Sequence, residues 1–103
     1  MLFRSRELGE KLTALGLSMI DAPVSGGVKR AIDGSLAIMI GGQAELIDRC
    51  EPVLRAMGSE LFRTGDLGSA HAMKALNNYV SAAGYVATSE AVLAAAQIGR
   101  AHV

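Results

Sequence analysis

Apolar positions along the chain follow helical spacing in some stretches and run continuously over short lengths in others, predicting helices that alternate with short strands. Leu8, Leu12 and Leu15 recur every three to four residues, Ser5 can cap and Gly16 can stop, which predicts a helix over 5–15. Residues 17–22 (LSMIDA) form a short apolar run that reads as a buried strand, ended by Pro23, which has no N–H to give a central ladder. One or two helical turns over 28–33, closed by Gly34, lead into a second strand over 35–40 (SLAIMI), stopped by Gly41 and Gly42. Leu46, Ile47, Cys50, Val53, Leu54 and Met57 share one face of a helix over 43–57, in which Pro52 is expected to kink or interrupt the hydrogen-bond ladder. A third short strand over 60–63, a Gly/Asp loop over 64–68 and a long Ala-rich helix over 69–97, interrupted only by Gly84, complete the reading.

Helix, strand, short helix, strand, helix, strand, long helix is the alternation of an α/β layered fold. The last helix is apolar almost all round, with Ala72, Leu76, Val80, Ala83, Val86 and Leu93 distributed over its circumference. Such a helix calls for burial on several sides. A chain of 103 residues has too little mass to provide it, so a partner chain or further sequence is expected to cover it.

Composition narrows the function classes without choosing one. Ten basic residues balance ten acidic ones, which argues against a nucleic-acid or anionic-membrane surface. Apolar runs are far shorter than a bilayer span, and the N-terminus has no apolar signal core. The single cysteine, Cys50, has no internal partner, and no Cys/His group has metal spacing. A cytoplasmic domain without a metal is the expectation. The two ends, 1–5 and 98–103, look like translations of reverse-complementary strings, as a sequencing adapter would leave on both sides of an insert. Setting them aside leaves a small acidic excess and an expected internal piece of a longer protein.

Two stretches could carry chemistry. In Asp21-Ala-Pro-Val-Ser-Gly-Gly, Ser25 offers a hydroxyl, and Gly26 and Gly27 let an anion approach the unpaired N–H groups that open a short helix. A plain turn, with Ser25 as N-cap and the glycines for unusual φ, explains the same residues. In the second stretch, Lys74 and Asn78 are four apart and share a helix face. Asn77 and Asn78 are poor mid-helix residues and need a reason to be there. A lysine among apolar neighbours suits proton transfer, although a snorkelling lysine beside hydrogen-bonded asparagines would look alike. His71, one turn before Lys74, reads as structural, and Lys29-Arg30 as a solvated pair. No Gly-x-Gly-x-x-Gly turn occurs.

Taken together, Asp-Ala-Pro-Val-Ser-Gly-Gly at 21–27, Gly41-Gly42, and Lys74 with Asn77-Asn78 resemble the β-hydroxyacid dehydrogenases, the family of the 3-hydroxyisobutyrate dehydrogenase and tartronate semialdehyde reductase type. The resemblance implies the back half of a Rossmann-like nucleotide-binding domain over 6–68, followed by a long interdomain helix over 69–97 that starts an all-helical domain. It implies NAD or NADP as cofactor and a small hydroxy acid or semialdehyde as substrate. Lys74 would be catalytic, Ser25, Gly26 and Gly27 would bind the substrate carboxylate, and Asn78 would orient the substrate. The nucleotide turn lies outside the matched stretch, so cofactor-binding residues stay unassigned and the piece alone is expected to be inactive. A homo-oligomer is implied for the full-length protein. One departure stands out: Ala70 occupies a position where the family usually has glycine. The rival class is a non-catalytic α/β module that binds an anion or docks a partner through its last helix.

Overall fold

Strand β2 (Leu36–Gly41) is the centre of the molecule because it alone has neighbours on both edges. The computed structural model describes residues 2–101, as α1 (Leu2–Ala14), β1 (Val24–Ser25), α2 (Gly27–Asp33), β2, α3 (Ala44–Met57), β3 (Gly58–Gly65) and α4 (Ser69–Ala101). The sheet order is β1-β2-β3; β1 runs antiparallel and β3 parallel to β2. A parallel neighbour requires a crossover, and α3 supplies it. Ile38 and Ile40 of β2 meet Ile47 and Leu54 of α3 in the core, with Ile20, Ala22, Leu36, Cys50 and Leu61 packed around them.

The helix over 43–57 forms, but its covered face is narrower than the six-residue stripe predicted. Ile47 and Leu54, two turns apart, are buried, while Val53 and Met57 remain 65% and 45% exposed. Pro52 does not interrupt α3. It lies on an exposed stretch, where water can meet the Asp48 carbonyl that loses its donor. Gly84 likewise leaves α4 continuous.

The strand expected over 17–22 is displaced. Asp21 makes an isolated antiparallel bridge with Gly41, Pro23 accepts a hydrogen bond from the Met39 N–H, and the ladder proper begins at Val24. The register explains the shift. Pairing Asp21 with Gly41 aligns the segment with the last residue of β2, so residues 17–20 overrun the strand and have nothing to pair with. Pro23 is tolerated because this segment is an edge.

From Ala75 to Gly99 every residue of α4 is exposed. The helix projects beyond the sheet and gives the chain extents of 70 × 31 × 17 Å. Tyr79, Val80, Tyr85, Val86 and Leu93 form part of its bare apolar flank. Of the ends that resemble an adapter, Leu2–Ser5 and Ile98–Ala101 continue α1 and α4, and Met1, His102 and Val103 lie outside the described residues.

A surface network ties α3 to β3. Arg63 pairs with Asp48 and Glu51, and Arg55 donates to Glu51 at 2.6 Å. The hydrogen bond from Arg55, with lesser help from Arg63, holds the Glu51 carboxyl below the usual carboxylate value of 4.5. A carboxyl depressed in the folded state adds stability above its unfolded value and loses it as pH falls through the folded one. Glu51→Gln is therefore expected to lower the melting temperature slightly at neutral pH, the gap from the parent closing below about pH 4. A thermal-melt series from acid to neutral pH checks this. The effect is small because exposed pairs are screened.

Candidate functional site

The 21–27 segment and the second turn of α4 meet. Ser25 ends β1 half-buried, and the chain then turns through Gly26 (φ 133°) and Gly27 (φ 67°), values that only glycine adopts without strain. Gly27 opens α2, whose N-cap, Gly26, makes no side-chain hydrogen bond. Ser25 is thus not the cap that a plain turn would make of it. Its Oγ accepts a hydrogen bond from Lys74 Nζ at 2.7 Å, across 49 positions of sequence. Lys74 is half-buried, and among the described residues no carboxylate lies within ion-pair distance of it. A cation held against a hydroxyl without a counter-ion is suited to receive an anionic oxygen.

Gly26 and Gly27 lie beside Ser25 and are exposed; a Cβ on Gly27 would meet open space, so conformation rather than crowding calls for glycine there. Asn78 stands one turn beyond Lys74 on α4 and is exposed, as is Asn77. The structure brings Lys74 and the Ser25–Gly27 turn together, and leaves the Asn78 side chain exposed without a hydrogen bond among the described residues. Arg30 is drawn to Glu60 at 3.7 Å, and Lys29 is exposed. Cys50 is half-buried against the core.

A second polar group, whose central member Asp21 was given no role from the sequence alone, holds α4 in place. The Asp21 side chain is fully buried and accepts the backbone N–H of Gly68 and of His71, each at 2.9 Å. His71 Nδ1 lies 2.8 Å from the buried Ser5 Oγ and 3.9 Å from Asp21 Oδ2, which bears out the structural reading of this histidine. Gly41 passes so close to Asp21 that a side chain there would collide with its carboxylate. Ala70 is fully buried in the first turn of α4, so the methyl that replaces the family's glycine is accommodated inside the packing. An acidic residue inside an apolar strand was the available signal for Asp21. Its partners, 47 and 50 positions away, left none.

A hollow lies elsewhere. An open cleft of about 860 Å³ separates α1 from the loops at the end of β2, bordered by Thr13, Ser18, Gly42, Gln43 and Asp66. Among the described residues no three His, Cys, Asp or Glu side chains gather as a metal site.

The first turn of α4 offers no free seat for a dinucleotide phosphate. Phosphate turns present free N–H groups at a helix N-terminus. At α4 the N–H groups of Gly68 and His71 are already taken by Asp21, and Ser69 N–H by the Asp66 carbonyl. The Gly26-Gly27 turn follows an antiparallel edge, not the parallel strand of a nucleotide crossover.

Similarity to known proteins places this mixed α/β chain in a nicotinamide-dinucleotide-binding class. The family described as the NAD binding domain of 6-phosphogluconate dehydrogenase matches residues 3–68, and the chain belongs to it. The chain is 41% identical over 88 residues to 3-hydroxyisobutyrate dehydrogenase of Pseudomonas aeruginosa, covering 85% of this chain and 30% of that protein. It is 42% identical over 77 residues to NAD-dependent L-serine dehydrogenase of the same organism, covering 75% and 26%. The solved structure of Mycobacterium tuberculosis 3-hydroxyisobutyrate dehydrogenase with L-serine superimposes with a TM-score of 0.91 at 37% identity, over 95% of this chain and 34% of that one. The chain thus spans about a third of the proteins it matches, and matches the Rossmann-like region and following helix of such enzymes.

Proposed function

We propose that this chain is the substrate-side segment of an NAD(P)-dependent dehydrogenase acting on small β-hydroxy acids or their semialdehydes. In this reading 6–68 is the C-terminal part of a Rossmann-like domain, and 69–97 is the helix that starts an all-helical domain. The observation that carries it is the Lys74–Ser25 contact: a cation without a counter-ion held at a Ser-Gly-Gly turn. The substrate carboxylate is gripped by the Ser25 hydroxyl and the backbone of Gly26 and Gly27. In the oxidising direction Lys74, as the neutral amine, takes the proton from the substrate hydroxyl; in the reducing direction, as the ammonium, it returns it, and Asn78 orients the substrate from the next turn of α4. Nicotinamide supplies the hydride chemistry when bound, its binding residues being unassigned; the segment alone is inactive. 3-Hydroxyisobutyrate and serine, named in the relatives, both carry a hydroxymethyl group next to the carbon that bears the carboxylate, which supports the substrate class. The bare flank of α4 supports a homo-oligomer whose further helices and second subunit cover it; a small-molecule substrate and a cytoplasmic setting complete the reading.

The test is an assay of the full-length enzyme for reduction of NAD or NADP by 3-hydroxyisobutyrate, serine and related acids. Turnover is expected with at least one of them. Ser25→Ala should raise KM about fivefold, the equivalent of one lost hydrogen bond, while kcat changes less. No reduction of either dinucleotide by any β-hydroxy acid overturns the reading. A chain acting only as a docking module through α4 would show no such turnover and no response to Ser25.

A further inference from the structure

Asp21 and Ser25 lie four residues apart on one segment, and each reaches α4. Asp21 takes the Gly68 and His71 N–H groups on its two oxygens, and Ser25 takes Lys74, three residues beyond His71. The segment is itself pinned to the sheet: Asp21 N–H donates to the Gly41 carbonyl and Gly41 N–H to the Asp21 carbonyl. These contacts close a ring that runs from Asp21 into the first turn of α4, along the helix to Lys74, across to Ser25 and back along the chain. The phase of α4 matters here, because a slip of one residue turns a side chain by about 100° around the helix axis. A slip at the start of α4 would carry Lys74 away from Ser25. Burying a carboxylate with no Lys or Arg beside it is costly, whereas an exposed serine could have capped the helix as well. What the buried carboxylate adds is a bidentate grip that fixes the rotation of α4.

We propose that Asp21 is a positioning residue for Lys74: by accepting the N–H groups of Gly68 and His71 it sets the phase of α4 that holds the amine at the Ser25–Gly27 turn. The inference rests on the reading of Lys74 as the proton relay. Asp21→Asn keeps the size of the side chain but turns an NH₂ toward one of the two N–H groups. In the full-length dehydrogenase this variant is expected to lower kcat about tenfold or more, with KM for acid and dinucleotide within about threefold. The solvent deuterium isotope effect on kcat should rise as proton transfer slows. On a Lys74→Ala background the same change should cost less than about twofold, since residues that act through one another are not additive.

A merely structural role would lower the melting temperature and the active fraction, leave the isotope effect unchanged and add fully to Lys74→Ala; that result overturns the proposal. So does a parental kcat in Asp21→Asn while Lys74→Ala is impaired. Near-parental activity in Lys74→Ala itself would instead sink the reading of Lys74, and this proposal with it. Should Asp21→Asn not fold, hydrogen exchange in the parent decides. Gly68 and His71 amides are expected to exchange as slowly as those of β2, and rapid exchange at either overturns the grip.

Discussion

On the proposed reading of Lys74 as the proton relay, its replacement with alanine in the full-length protein is expected to reduce kcat by about a hundredfold to ten-thousandfold, the range for loss of a positioned proton-transfer group. KM should move much less, because proton transfer belongs to the transition state and not to binding. Lys74→Arg should be almost as impaired. It keeps the positive charge, but a guanidinium does not give up its proton and its planar fork does not fit the place of a point-like ammonium. A small primary amine added to Lys74→Ala should restore part of the rate with a saturable dependence on its concentration. Steady-state kinetics of the three proteins, with and without methylamine, checks this. If Lys74→Arg turned over like the parent, charge alone would be the requirement. The proton relay would then be wrong even though the contact with Ser25 stands.

Elements whose own pattern decides their structure were legible in the chain. The Ile47–Leu54 spacing of α3, the apolar run of β2 and the length of α4 are local, and each forms close to its expected place. The strand read over 17–22 was not so determined. A continuous apolar run shows that a segment is buried, but its pairing depends on where the neighbouring strand ends. Here β2 ends at Gly41, opposite Asp21. Asp21 itself shows the limit most clearly. Nothing within several residues of it announces a helix 47 positions later whose first N–H groups need an acceptor. Ser5 against His71, 66 positions apart, is the same kind of contact. For the site, spacing alone left Ser25 open between a turn cap and an anion contact, and Lys74 between a proton-transfer group and a snorkelling side chain. It was the resemblance to a known family that linked them, and the 2.7 Å contact is a geometric fact independent of it.

Gly41→Ala is expected to be among the most damaging single changes outside the reacting groups, destabilising the protein by about 3 kcal/mol, the upper part of the range for overpacking. A Cβ there would meet the Asp21 carboxylate, the Asp66 carbonyl at 2.8 Å and Ser69 Oγ at 2.9 Å. Two of these three cannot yield cheaply. The Asp66 carbonyl is backbone and accepts the Ser69 N–H, and the Asp21 carboxylate is fixed by Gly68 and His71. Relief must therefore come from moving the start of α4 away from β2, which undoes the grip on the helix and draws Lys74 off Ser25. Gly84→Ala is the control, since a Cβ at Gly84 meets nothing within 4 Å. In the middle of an exposed helix it should raise stability or helicity by up to about 1 kcal/mol. Urea unfolding of both variants beside the parent checks the pair, with the midpoint expected to fall for Gly41→Ala and to hold or rise for Gly84→Ala. An unchanged midpoint for Gly41→Ala would mean that the junction of Asp21, β2 and α4 is soft enough to absorb a methyl group. A junction that soft could not hold the phase of α4.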